Sequence, residues 1–190
     1  MAVIGRRNVS SLKTSVVNVV ATATLDCCVD LESLKEFFPQ EVLHDPEIYG
    51  GRVAYFKSKK MQGKVSIFSS GKMISVGTKS QEKANQELVL VASHLERKGI
   101  AKIKSTAKIQ NIVVTADLGF EPRLDLIERI EGAQIIYEPD QFPGAIISFF
   151  LSEKSKATIL LFSSGKIICM GLKNQKDIDR AVNYLLTMIS

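Results

Sequence analysis

Cysteine and histidine are scarce, and their scarcity removes whole classes of chemistry. In 190 residues there are three cysteines and two histidines. Cys27 and Cys28 are adjacent, a spacing that rarely bridges, and Cys169 stands apart from both. No disulfide framework is expected, and the thiols read as reduced ones in an intracellular protein. No Cys/His cluster has the spacing of a zinc site. His44 and His94 have no nucleophile or carboxylate constellation around them, so the chain is not expected to be an enzyme, and no metal or cofactor is called for. No apolar run reaches the ~18 residues of a membrane helix. The opening MAVIGRRNVSSLK lacks the long apolar region of a signal peptide, so a soluble, cytoplasmic protein is expected. The two SSGK segments look like phosphate loops, but Ser66 and Leu160 stand where G-x-x-x-x-G-K-[ST] needs its first glycine.

What is present is an ordinary apolar content of 45%, a net charge of +5 and a repeat. The apolar content suffices for a buried core. The charge is a mild pointer to a polyanionic partner. VNVVATATL (17–25) matches QNIVVTADL (110–118), DPEIYGG (45–51) matches EPDQFPG (138–144), and IFSSGKMISVG (67–77) matches LFSSGKIICMG (161–171). The offset is 93 residues early and 94 late, which places one extra residue in a hairpin of the second half. Two copies are too few for a solenoid and predict two similar halves, 12–99 and 100–190, behind an N-terminal extension, 1–11, in one continuous domain.

Each half reads alike. A Val/Thr/Ile-rich strand (15–24; 108–117) precedes a short helix (30–38; 122–131), with Asp30 as a candidate N-cap. A Pro/Gly-marked turn (45–51; 138–144) leads into three strands joined by polar loops at 58–64 and 152–156. A long helix closes each half. Ser80 and Asn174 are the expected N-caps; Ala84, Leu88, Val91, Ala92 and Leu95 form one apolar stripe, and Ile178, Val182, Leu185, Leu186 and Ile189 the other. Gly99 sits where a helix C-terminal glycine belongs.

Helices with a single stripe cover one face of a sheet. Val19, Ala21, Ala23, Val65, Ile67 and Met73 are assigned to that face. The alternate residues are Asn18, Val20, Thr22, Phe68, Ile74 and Val76, with Asn111, Val113, Thr115, Phe162, Ile168 and Met170 as partners in the second half. This second face is also apolar in its middle, with Lys72, Lys79, Lys166 and Lys173 around it. An exposed apolar surface of this extent marks a binding site, and a lysine rim suits a ligand carrying phosphates.

QNIVVTADL, YEPDQFPG and FSSGK followed by MG, in two registered copies, resemble the TATA-box-binding protein family, in its archaeal type, from about residue 12 to 190. The resemblance implies an α+β fold: one antiparallel ten-stranded saddle with four helices on the convex face. It implies a general transcription factor that binds and bends A·T-rich double-stranded DNA through the minor groove and recruits transcription factor B, and RNA polymerase indirectly. The alternative is a saddle-fold paralogue acting mainly through protein contacts, with weak or altered DNA binding. A homodimer when free of DNA is open to either. By resemblance, Tyr49 with Phe68, and Phe142 with Phe162, match the aromatic wedges. Asn18 and Asn111 match the central asparagines, and Val20, Val113, Ile74 and Ile168 the apolar base contacts. Val76 and Met170 stand where the family has threonines, Tyr55 and Ser148 where it has phosphate-binding arginines, and Tyr49 where it has phenylalanine, the marks of a divergent paralogue. Glu138, Pro139 and Asp140 match the turn that meets transcription factor B.

Overall fold

The computed structural model describes residues 12–127 and 132–189. The expected extension, 1–11, and the end of the second short helix, 128–131, lie outside the described residues. The chain divides into two compact units. One is Val17–Asn111; the other takes the residues before Val17 and from Ile112 onward.

In the first unit, strands β1 (Ser15–Thr24), β2 (Val42–His44), β3 (Val53–Phe56), β4 (Lys64–Phe68) and β5 (Lys72–Thr78) are ordered β2-β3-β4-β5-β1. In the other, β6 (Lys108–Asp117), β7 (Ala133–Ile136), β8 (Gly144–Ser152), β9 (Ser155–Phe162) and β10 (Lys166–Leu172) are ordered β6-β10-β9-β8-β7. The pairings within each unit are antiparallel. Strands β2 and β7 are the short members that the residue pattern alone does not reveal.

The α-helices begin where the sequence places their caps. Asp30 accepts from the Glu32 amide at 3.2 Å ahead of α1 (Leu31–Phe37). Ser80 Oγ accepts from Lys83 N at 3.0 Å ahead of α2 (Gln81–Arg97), and Asn174 Oδ1 from Asp177 N at 2.9 Å ahead of α3 (Gln175–Met188). Each satisfies one of the amides a helix start leaves unpaired. The α2 stripe is buried as expected. That of α3 is narrower: Ala181 joins Ile178, Val182 and Leu185 in the core, while Leu186 and Ile189 are only half-buried. A fourth helix, expected over 122–131, is a single 3₁₀ turn, Leu124–Leu126, among the described residues. The β8–β9 loop is also tighter than 152–156, since β8 runs to Ser152 and β9 begins at Ser155.

Strand register corrects the repeat arithmetic. Val53 lies opposite Phe68, whereas Gly144 lies opposite Phe162. The two turns begin alike, with Ile48 N on Asp45 O and Gln141 N on Glu138 O. Between turn and strand the first unit then holds Tyr49, Gly50, Gly51 and Arg52, and the second only Phe142 and Pro143. The first turn is longer by two residues, and the following hairpin is longer by three in the second unit; the difference is the single residue counted in sequence. Tyr55 is therefore level with Ile146, facing Ser66 as Ile146 faces Leu160. It is Lys57, not Tyr55, that is level with Ser148.

Lys57 has a structural task in the 58–63 loop. Its ammonium donates to the carbonyls of Met61, Gln62 and Gly63 at 3.0, 2.7 and 2.5 Å. From α2, the buried Glu87 Oε1 accepts from the amides of Gln62 and Gly63 at 2.6 and 2.9 Å.

The thiols differ sharply. Cys27 and Cys28 are exposed; Cys169 is buried, and burial pushes its pKa up to about 12. Cys27 is also raised, by its partial desolvation and then by the Asp26 carboxylate. Because the thiolate is the reactive form, native protein at pH 8 is expected to titrate at most two thiols with a disulfide reagent. The third should appear only in denaturant, and rapid labelling of all three would contradict the burial of Cys169.

Candidate nucleic-acid interface

Alternation separates the two faces along most of each strand, the exceptions being the starts of β3 and β8, where Val53 and Gly144 are buried beside Ala54 and Ala145. Val19, Ala21, Ala23, Val65, Ile67 and Met73 are at most 2% exposed, while all twelve residues assigned to the other face are half-exposed. In the first unit α2 packs on β4 and β5, and α1 on β2 and β3; in the second, α3 packs on β8, β9 and β10. One face is thus closed by helices and the other stays open, though largely apolar.

Cross-strand partners share a face, so the register lists what each open face presents. In the first unit one row runs Thr22, Ile74, Ser66, Tyr55, Leu43. The matching row of the second runs Thr115, Ile168, Leu160, Ile146, Ile136. Leu160, Ile146, Leu43 and Ile136 are absent from the sequence-derived set. Alternation along β8 and β9 could have found the middle two, while the shortness of β2 and β7 hid the outer ones.

Thr22, Ser66 and Thr115 are polar residues within the ladders, whereas the asparagine of β1 and the lysines lie at irregularities or strand ends. Asn18 precedes a register shift in the β1–β5 ladder, and its Oδ1 accepts from Gly77 N at 2.8 Å. Asn111 lies half-exposed on β6, Val20 on β1, Val113 on β6, and Val76 and Met170 on β5 and β10. Lys72 and Lys166 open β5 and β10; Lys79 and Lys173 follow those strands, and all four are exposed. In the second unit a cavity of about 660 Å³ is lined by Phe162, Lys166, Ile168 and Thr115 together with Ser15 and Lys13. Lys13 was not singled out from sequence; a lone lysine ahead of a strand carries no signal.

The four aromatic candidates are not arranged alike. Phe142 and Phe162 are brought together, ring centres 5.7 Å apart and tilted by 60°. Phe68 is half-exposed on its strand, but Tyr49 lies at the tip of the longer turn, 74% exposed and with a left-handed backbone (φ 52°). Glu138, Pro139 and Asp140 form an exposed turn whose Glu138 carbonyl accepts from Gln141 N and Phe142 N, both at 2.9 Å.

The family model for transcription factor TFIID, or TATA-binding protein, matches residues 13–98 and again 106–190. The chain belongs to the TATA-binding protein family. It is 36% identical over 176 residues to a TATA-box-binding protein of Methanocaldococcus jannaschii, covering 92% of each chain. It is 38% identical over 178 residues to one of Cenarchaeum symbiosum, covering 92% of this chain and 93% of that one. A solved structure titled Methanococcus jannaschii TBP superposes with a TM-score of 0.77 at 33% identity, covering 93% of this chain and 98% of that one. The α+β fold of ten antiparallel strands is that of the family, with three α-helices among the described residues. The first of these family matches ends at residue 98 and the second begins at residue 106. No described helix is long and apolar enough to cross a membrane.

Proposed function

We propose that the protein is a general transcription factor of the TATA-binding type, binding A·T-rich duplex DNA with the open faces of its sheets. The observation that carries this reading is the accessible, largely apolar row in each unit, opposite a face closed by helices, in a chain of this family. An apolar surface flanked by lysines suits a minor groove, which offers apolar sugar walls between two lines of phosphate. A·T and T·A pairs present the groove with acceptors only. Asn18 fits that pattern: with Oδ1 committed to Gly77 N, its Nδ2 is the group that can donate to DNA. Asn111 would do the same on β6. Val20, Val113, Ile74, Ile168, Val76 and Met170 would lie against base edges. Phe68, Phe142 and Phe162 would supply rings that wedge into base steps, the device known from this family.

Lys72, Lys79, Lys166 and Lys173 would meet phosphates. Each phosphate neutralised contributes about −0.9 to the slope of log K against log salt, so the four rim lysines imply roughly −3 to −4. Electrophoretic shifts of an A·T-rich duplex and a G·C-rich control, repeated across salt concentrations, test this. The expected result is preference for the A·T-rich duplex with that slope; equal binding of both, or none, would overturn the reading.

The exposed turn at Glu138–Asp140 is proposed to meet a basic surface of transcription factor B. Reversing both charges, as Glu138→Lys with Asp140→Lys, is expected to abolish the ternary complex while leaving binary DNA binding in place. A ternary complex of unchanged stability would remove these residues from the contact.

A further inference from the structure

This inference rests on the DNA-binding reading above. We propose that the two units distort DNA unequally: Phe142 and Phe162 form a paired wedge, whereas the first unit wedges with Phe68 alone, so the sharper kink lies at the step held by the second unit.

The seat of the paired wedge is Gly144. A Cβ placed there would lie 3.0 Å from the Phe142 ring, 3.1 Å from the Phe162 ring and 3.0 Å from the Leu161 carbonyl oxygen, so the rings would have to shift by a few tenths of an ångström to admit it. The two rings share the space that a side chain would fill. In the first unit that space is filled. Val53 occupies the position opposite Phe68 that Gly144 occupies opposite Phe162. Cross-strand partners point to the same face, so the Val53 isopropyl group stands where a second ring would sit.

Tyr49 is the ring that could have taken the seat, and the two additional residues of its turn carry it away. Tyr49, Gly50 and Gly51 are left-handed in succession, with φ of 52°, 60° and 69°. An aromatic residue in that region is unusual, and the two glycines behind it allow the chain to continue in the same left-handed conformation. Bringing Tyr49 onto Phe68 would require rebuilding this turn and displacing Val53. The residue types on the two open faces agree with this inequality. Where the second unit has Leu160 and Ile146, the first has Ser66 and Tyr55. The second unit therefore offers more apolar surface to offset the unstacking of a base step.

The experiment measures affinity and bending together, using an A·T-rich duplex labelled at its two ends for energy transfer. Wild type is compared with Tyr49→Ala and Phe142→Ala. The loss of affinity from Phe142→Ala is expected to exceed that from Tyr49→Ala by about tenfold, the scale of losing one ring–base stack. The end-to-end transfer should fall mainly in Phe142→Ala. Phe142→Leu, which keeps a packed apolar group on Phe162, is the second variant, and thermal melting of each shows whether the unit is intact. A several-fold loss in Phe142→Leu with an unchanged melting temperature supports the paired wedge even if Phe142→Ala fails to fold. Equal losses from Tyr49→Ala and the Phe142 variants would overturn the inequality while leaving the DNA-binding reading intact. Failure of wild type to bind the duplex would instead overturn that reading.

Discussion

Phe162→Ala is expected to cost DNA affinity and almost no stability. The ring is half-exposed on the open face, against Phe142 rather than against a helix. Its removal leaves no closed cavity, and loss of a base stack is worth about 1–3 kcal/mol, or roughly tenfold to a hundredfold in affinity. Phe149, on the same pair of strands, is the contrast. It is 2% exposed and meets Tyr184 of α3 edge-on at 4.8 Å. Phe149→Ala should cost about 3–5 kcal/mol of stability. Melting curves and shift titrations of the two variants, side by side, separate binding surface from core. A large drop in melting temperature for Phe162→Ala, with affinity retained, would make that ring a core residue.

Gly165→Ala should destabilise the second unit by more than any ordinary surface change. Gly165 has φ +81°, a region costing an L-residue about 1–2 kcal/mol. A Cβ would also collide with the Phe120 carbonyl oxygen, which crosses directly behind the turn. The turn cannot step away, because Gly165 O accepts from Leu118 N at 2.9 Å. Gly71 repeats the arrangement: φ +81°, the Cys27 carbonyl behind it and Leu25 N on its own carbonyl at 2.8 Å. Gly119 isolates the backbone cost, with φ +74° and no atom near its missing Cβ. In urea titrations Gly165→Ala and Gly71→Ala are expected to lose on the order of 2–4 kcal/mol, and Gly119→Ala about 1. Equal losses at all three would mean that the crossing carbonyls do not constrain the turns.

Much of this was legible because the sheet enforces a period of two. Val19 and Val20 are the same residue type with opposite fates, and alternation alone told them apart. The N-caps Asp30, Ser80 and Asn174 were legible because each is a short polar side chain just ahead of an apolar stripe. Length was harder to read. The repeat gave only the net difference between the halves, because a longer turn before β3 and a longer hairpin after β8 nearly cancel. Their separate sizes decide whether Tyr55 or Lys57 is level with Ser148, and whether Tyr49 reaches Phe68. Backbone pairing supplies that information; residue matching does not. Lys13 and Leu43 were missed for a simpler reason: a single lysine, or an apolar residue in a three-residue strand, is indistinguishable from background.

The 58–63 loop is wired more tightly than its polar sequence suggests. The peptide group between Met61 and Gln62 gives its oxygen to Lys57 and its N–H to Glu87, and the peptide between Gln62 and Gly63 does the same. Two successive amide dipoles thus lie side by side, each spanning from the cation to the anion. The charges communicate through polarised peptide groups, so each strengthens the other's hydrogen bonds. A double-mutant cycle on Lys57 and Glu87 should therefore show a coupling energy although their side chains grip opposite ends of the same peptides. Together with the buried Met61 side chain, this pair of bridged peptides fixes a loop whose polar sequence alone would suggest a free one.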